Sequence, residues 1–248
     1  MPVSLGNKEI PNQVRNDGRV CAFTLAEVLI TLVIVGVIAA LTIPNLMQKY
    51  QEQTTVKKVQ KFYSNLSNAY SLAMKDNGPA NDWKLTSTDK SGAEKIYELL
   101  FKPYFKIGKN CGTNNTGNCI ANGDYRHLNN NIHTKYSTNS HYYKITLEDG
   151  AAVWFKEYER PDITIFYDIN GPKEPNQYGK DLFTFYIEGR KVYPPGIPSG
   201  DYSFTSNSFN STCKTTATGY GCTAWVIYKG NMDYLHCDLT WDKRSCRD

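Results

Sequence analysis

Histidine is scarce in this chain, with four in 248 residues, at positions 127, 133, 141 and 236. None falls in a His-Glu-x-x-His pair, so the zinc-peptidase helix is excluded. The chain also lacks a Gly-x-Ser-x-Gly elbow and a phosphate-cradling glycine loop, which leaves hydrolytic and nucleotide-dependent classes without a motif. No two cysteines are spaced Cys-x-x-Cys, which argues against a structural zinc site. Neither sign of charge dominates: 28 Lys and Arg stand against 24 Asp and Glu, a net charge of +4, so no nucleic-acid footprint is implied. Long apolar runs are missing too, except for one.

That run organises the chain. From Val28 to Ile43 the sequence reads VLITLVIVGVIAALTI, with no charge and nothing more polar than Thr31 and Thr42. At about 1.5 Å per residue a helix from Phe23 to Met47 is roughly 37 Å long, enough for the ~30 Å hydrocarbon layer of a bilayer. Glu27 lies one turn inside it. A carboxylate there is costly and needs a partner, which makes it a functional residue by default. A secretory signal peptide would be shorter and end in a small-residue cleavage site, and a plain anchor leaves Glu27 unexplained. A third reading has the chain cut before the run, after Ala22, so that the helix stays with the mature protein.

Cys21-Ala-Phe-Thr-Leu-Ala-Glu-Val-Leu-Ile-Thr-Leu32 resembles the cleavage and methylation signature of type IV prepilins and type II secretion pseudopilins. The resemblance covers about 25 residues. It implies a leader of residues 1–22, cut by a prepilin peptidase after Ala22, with the new N-terminus on Phe23 then methylated. Glu27 falls on the family's glutamate at the fifth position of the mature chain, and Pro44 on the proline found later in the same helix. Ala22 departs from the glycine usual before the cut, and its small size implies slower or normal processing. The resemblance further implies a subunit held in the bacterial inner membrane by a single pass, with its head outside the cytoplasm. From there it would move into a periplasmic or surface filament. Its partners would be the peptidase and methylase, other pilin or pseudopilin subunits, the inner-membrane assembly platform and membrane lipid. Nucleic acid is not a default partner. The leader's Lys8, Arg15 and Arg19 against Glu9 and Asp17 agree with a cytoplasmic start. In such a filament the Phe23 amine of one subunit would neutralise Glu27 of its neighbour, while helix packing supplies most of the association energy.

Helical periodicity continues past the run. Val56, Val59, Phe62, Tyr63, Leu66, Ala69, Tyr70 and Ala73 recur at three- and four-residue steps, with Lys57, Lys58, Gln60, Lys61, Asn65 and Asn68 on the solvent side. Asn77-Gly78-Pro79 is a stop signal. The expected divisions are 1–22 (leader), 23–47 (membrane or filament-core half of the helix), 48–78 (amphipathic half) and 79–248 (head). A break near Pro44, giving two helices, is the alternative. Ser91 to Glu94 has capping-box spacing ahead of a short helix, and residues 108–141 read as a long loop. From Tyr143 the pattern is β: Tyr143–Leu147, Ala151–Tyr158, Ile163–Asp168, Leu182–Glu188 and Lys191–Tyr193, with short connections. The fold class is therefore α+β, a long N-terminal helix on an antiparallel sheet, pilin-like by the resemblance.

Cys21 belongs to the expected leader. Cys111, Cys119, Cys213, Cys222, Cys237 and Cys246 remain, an even set in an exported domain. Short separation favours Cys111–Cys119. For the other four, Cys213–Cys222 with Cys237–Cys246 competes with a nested arrangement. The segment from Asp168 to Asp181 places Asp168, Asn170, Asn176 and Asp181 around Gly171, an oxygen set of the kind calcium takes, though not an EF-hand. The competing reading is that Asp and Asn here cap their own turns. No other cofactor is implied. The resemblance and the absence of catalytic motifs in the sequence imply a structural subunit rather than an enzyme. Its rivals are an adhesion or DNA-uptake subunit, for which Lys102, Lys106, Lys109, Lys144 and Lys156 would have to gather, and a membrane-tethered hydrolase. The histidines read as surface or packing residues.

Overall fold

The computed structural model describes residues 24–86, 90–157, 163–198 and 208–247. The expected leader, Ala22 and Phe23 lie outside the described residues. The chain divides into two units between Met47 and Gln48. One helix, α1 (Leu25–Asn77), runs through both without a break at Pro44. In the first unit its large apolar side chains, from Leu25 to Met47, are exposed. This helix is long and apolar enough to cross a membrane.

In the second unit the buried positions of α1 are Thr55, Val56, Val59, Phe62, Leu66, Ala69, Tyr70 and Ala73, the stripe set by the periodicity. Tyr63 is half-buried at its edge. Lys58 and Gln60, expected in solvent, are instead tied down. Lys58 Nζ donates to the Ile169 carbonyl at 3.1 Å and Gln60 Nε2 to the Ile227 carbonyl at 3.0 Å. Their long stems cross the rim of the core while the polar ends reach backbone oxygens, which periodicity alone does not reveal. Gly78 ends the helix at φ +77°, a backbone state open to glycine at no steric cost.

Two short helices follow, α2 (Ser91–Ile96) and α3 (Lys102–Tyr104), joined by a π turn over Tyr97–Phe101. Pro103 has no N–H for the Leu99 carbonyl, and the Lys102 N–H bonds five residues back to Tyr97, so the wider turn absorbs the missing donor.

Six strands form one antiparallel sheet in the order β1 (Ile107–Gly112), β4 (Tyr143–Leu147), β5 (Ala152–Glu157), β6 (Ile163–Asp168), β7 (Leu182–Glu188) and β8 (Lys191–Tyr193). The small hairpin of β2 (Tyr125–Arg126) and β3 (Ile132–Thr134) stands apart. Alternation along the sheet builds two cores. Val153, Phe155, Ile163, Ile165, Tyr167, Phe183, Phe185 and Ile187 join the α1 stripe. The even-numbered Ala152, Trp154, Phe166 and Leu182 join a second cluster with Cys111, Tyr125, Tyr136, Tyr142 and Tyr178. The segment expected as a plain loop, 108–141, therefore supplies β1, the small hairpin and the cover of the sheet's second face. Its signal was the bulk of Trp154 and Phe166 at positions that a one-sided sheet leaves polar.

On the first face Phe62 stacks on Tyr167, with ring centres 4.0 Å apart, and lies 5.3 Å from Phe185. Phe62→Ala opens a cavity at the joint of helix and sheet. We expect it to lower stability by about 3–5 kcal/mol, read as a lower denaturation midpoint at unchanged slope. Leu72→Ala, at a half-exposed position of the same helix, should leave the midpoint nearly unchanged.

The three bridges are Cys111–Cys119, Cys213–Cys222 and Cys237–Cys246, so the nested alternative is not the one formed. Two helices, α4 (Phe209–Thr212) and α5 (Cys222–Lys229), flank the middle bridge and pack Phe209 on Trp225 with ring centres 4.4 Å apart.

Candidate functional site

Three places carry the residues expected to act. At the start of α1, Thr24 and Glu27 form a reciprocal cap. The Thr24 backbone N–H and its hydroxyl both donate to Glu27 Oε2 at 2.9 Å, and the Glu27 N–H donates to Thr24 Oγ1 at 3.2 Å. Thr24-Leu-Ala-Glu27 is thus a capping box, a pattern the sequence carries alongside the charge of Glu27. One carboxylate oxygen satisfies the helix start, and the acid sits against the positive end of the helix dipole. Pro44 lies within the same helix, exposed.

The second place is the connection from β6 to β7. The ladder closes at the pair Asp168 and Leu182, so residues 169–181 fold back on themselves beside the sheet end. Asp181 organises them. Its Oδ2 accepts the Asn176 N–H at 2.9 Å and the Asn170 amide at 3.2 Å, and its Oδ1 accepts the Gln177 N–H at 2.7 Å. Asp168 Oδ1 accepts the Asn170 N–H at 3.2 Å, and its Oδ2 takes the Tyr125 hydroxyl at 3.4 Å. All four residues named from the sequence are therefore gathered here, joined by backbone turns that Asp and Asn favour. The capping reading accounts for these bonds and leaves two atoms over: the side-chain oxygens of Asn170 and Asn176 are buried with no hydrogen-bond partner.

Electrostatics sharpen this. Burial pushes the Asp168 carboxyl well above the usual carboxylate range, and the Asp181 charge pushes it further. Burial also raises Asp181, against the opposing N–H groups of Gln177 and Asn176. Two buried acids with two unpartnered amide oxygens form a hard-oxygen donor set, the kind that suits calcium. No group of three or more His, Cys, Asp or Glu gathers for a metal among the described residues, so such an ion would lean on the amides as much as on the acids.

The third place is the basic set. Lys144, one of the five lysines that would have to gather, is buried: its Nζ donates to the Thr113 carbonyl at 2.6 Å and the Asn139 carbonyl at 2.5 Å, clasping both ends of the second-face cover. Burial lowers its pKa to about 8. Lys102 pairs with Glu98 at 2.6 Å, Lys109 Nζ donates to the Gly117 carbonyl, and Lys156 lies over the Tyr142 ring. Lys144 is thus taken from the surface, while Lys102, Lys106 and Lys109 stay exposed.

Residues 45–120 match the model of a family of unknown function (DUF6613). That span runs from the later part of α1 to just past the first disulfide. No curated protein and no solved structure matches the chain.

Proposed function

We propose that the chain is a pilin-like structural subunit of a type II secretion pseudopilus or a type IV pilus, assembled through its N-terminal helix after cleavage and N-methylation at Phe23. The observation that carries this reading is α1 itself, one 53-residue helix whose exposed apolar half bears a single carboxylate at its start and whose second half is striped into a head. An anchor needs the apolar half but not Glu27. A soluble core helix needs the stripe but not the exposed run. A filament subunit uses all three: the run first crosses the inner membrane and then packs against the same run in other copies.

On this reading the peptidase, the assembly platform and further subunits are the partners, the bilayer is the site of storage, and the head lies outside the cytoplasm, where its three disulfides persist. Calcium belongs to the proposal as a structural ion of the head: Asp168, Asp181 and the side-chain oxygens of Asn170 and Asn176 would hold it, and it would neutralise the two acids. Burial of Lys144 removes one cation from the set that an adhesion or DNA-uptake subunit would have to gather.

Processing tests the reading. Mass spectrometry of the protein from a host with an active prepilin peptidase should find a chain beginning at Phe23 and heavier by one methyl group. Recovery of the chain with residues 1–22 attached, in that host, rejects it.

A further inference from the structure

Five polar side chains converge at the second face of the sheet. His127 follows β2, His133 lies in β3, Tyr136 follows β3, Tyr178 comes from the β6–β7 connection and Tyr220 lies between Cys213 and Cys222. The two imidazole centres are 4.6 Å apart. His133 Nε2 is 3.0 Å from the Tyr136 hydroxyl and 3.1 Å from the Tyr220 hydroxyl, and the Tyr136 hydroxyl is hydrogen-bonded to that of Tyr178. Tyr136 and Tyr178 are buried and form the floor, while His127, His133 and Tyr220 are half-buried and open to solvent.

Three observations point to an ion here. With metal–nitrogen bonds of about 2.0–2.1 Å, two imidazole centres on one ion lie about 4.5–5 Å apart and neighbouring donors about 3 Å apart. The two ring centres have the first spacing, and His133 Nε2 and the Tyr220 hydroxyl have the second. Second, His127 Nδ1 is buried with no hydrogen-bond partner, while the ring has a backbone contact with Thr218. Third, the cluster is held from outside by backbone bonds: Gln177 Nε2 donates to the His127 and Leu128 carbonyls at 2.9 and 3.0 Å, Tyr178 N–H to Arg126 at 3.0 Å, and Leu128 N–H to Thr218 at 3.0 Å. The Cys213–Cys222 bridge fixes the strand of chain that carries Tyr220. Such outer support is what keeps ligands in place before the ion arrives.

We propose that His127, through Nδ1, His133, through Nε2, and the Tyr220 phenol oxygen form a binding site for a divalent copper ion. Imidazole with oxygen donors suits copper(II), which also stands highest among the divalent first-row ions in affinity for such sites. The imidazoles bind without losing a proton at neutral pH, since burial lowers both and brings His133 to about 4. The phenol gives its proton to solvent and becomes the anion that offsets part of the ion's charge.

The test uses the full chain in detergent, titrated with copper sulfate against an excess of glycine as competitor. We expect one tight equivalent, an electron paramagnetic resonance signal with hyperfine splitting from two nitrogens, and a phenolate charge-transfer band that Tyr220→Phe removes. His127→Gln and His133→Gln should each weaken binding by at least about tenfold. Wild-type protein that takes no copper under competition overturns the proposal. So does equal binding by the two Gln variants, which would place the ion at the N-terminal amine, His141 or His236. Should either variant fail to fold, the nitrogen count of the wild-type signal decides.

Discussion

Glu27→Gln is expected to leave the chain in the membrane fraction and to yield no filaments. The choice of glutamine separates the two tasks that meet in this side chain. As a cap, Glu27 accepts from the Thr24 N–H and hydroxyl, and a glutamine oxygen performs the same task. As a charge it is the counter-ion proposed for the Phe23 amine of a neighbouring subunit, and glutamine cannot serve there. Removing one partner of an ion pair in an apolar setting leaves the other charge uncompensated, a severe loss. Thr24→Ala is the converse: it removes the hydroxyl contacts of the cap, keeps the carboxylate, and should still assemble. Glu27→Ala removes both roles and should match Glu27→Gln. Filament assays by electron microscopy and shearing, with membrane fractionation as the control, read all three. If Glu27→Gln assembles and Thr24→Ala does not, the acid is a cap and the intersubunit pair is wrong.

Much of the first-face architecture was legible because it rests on periodicity. The α1 stripe from Val56 to Ala73, the stop at Asn77-Gly78 and the antiparallel strands from Tyr143 onward all follow from local pattern, whereas the pairing of the last four cysteines stayed open between two arrangements. The second face did not, because its cover is held by contacts between distant positions. Lys144 reads as a surface cation in one dimension, yet β4 aims it into the second face, where the Thr113 and Asn139 carbonyls receive it. Likewise His127, His133, Tyr178 and Tyr220 are spread over almost a hundred positions and carry no spacing signal. Backbone bonds among residues 126–129, 177–178 and 217–218, the Gln177 amide and the Cys213–Cys222 bridge bring them together. The acidic loop was found because its four residues lie within fourteen positions, and local chemistry could be counted there. What could not be counted was the division of labour. Asp181 is committed to two backbone N–H groups and an amide at 2.7–3.2 Å, whereas Asp168 takes the Asn170 N–H at 3.2 Å, a backbone bond from Gly171 and a long phenol contact at 3.4 Å.

That division shapes the second large effect, which concerns pH and calcium together. Asp168 and Asp181 both titrate higher in the folded head than in the unfolded chain, chiefly through burial. The folded state therefore holds protons that the unfolded state releases. Their contribution to stability is present in full below about pH 3.9, the ordinary aspartate range, and is lost as pH rises through the raised folded values. In chelator, the denaturation midpoint of the wild type should accordingly fall with rising pH relative to Asp168→Asn, which has no carboxyl to ionise at that position. Calcium should reverse the loss, because the ion favours the ionised pair and gives the Asn170 and Asn176 oxygens a partner. At a hundredfold excess over its dissociation constant a ligand bound only by the folded state contributes about 2.7 kcal/mol. Asp168→Asn should lose the calcium response while keeping the fold, since the backbone bonds to Asp181 remain. Asp181→Ala should instead destabilise the head with or without calcium, because the buried N–H groups of Asn176 and Gln177 lose their acceptor at about 1–3 kcal/mol each. Thermal denaturation of the full chain in detergent, across pH with and without calcium, separates these outcomes. A wild-type midpoint that is unmoved by calcium at neutral pH, with the same pH slope as Asp168→Asn, would show that the four residues are turn caps alone.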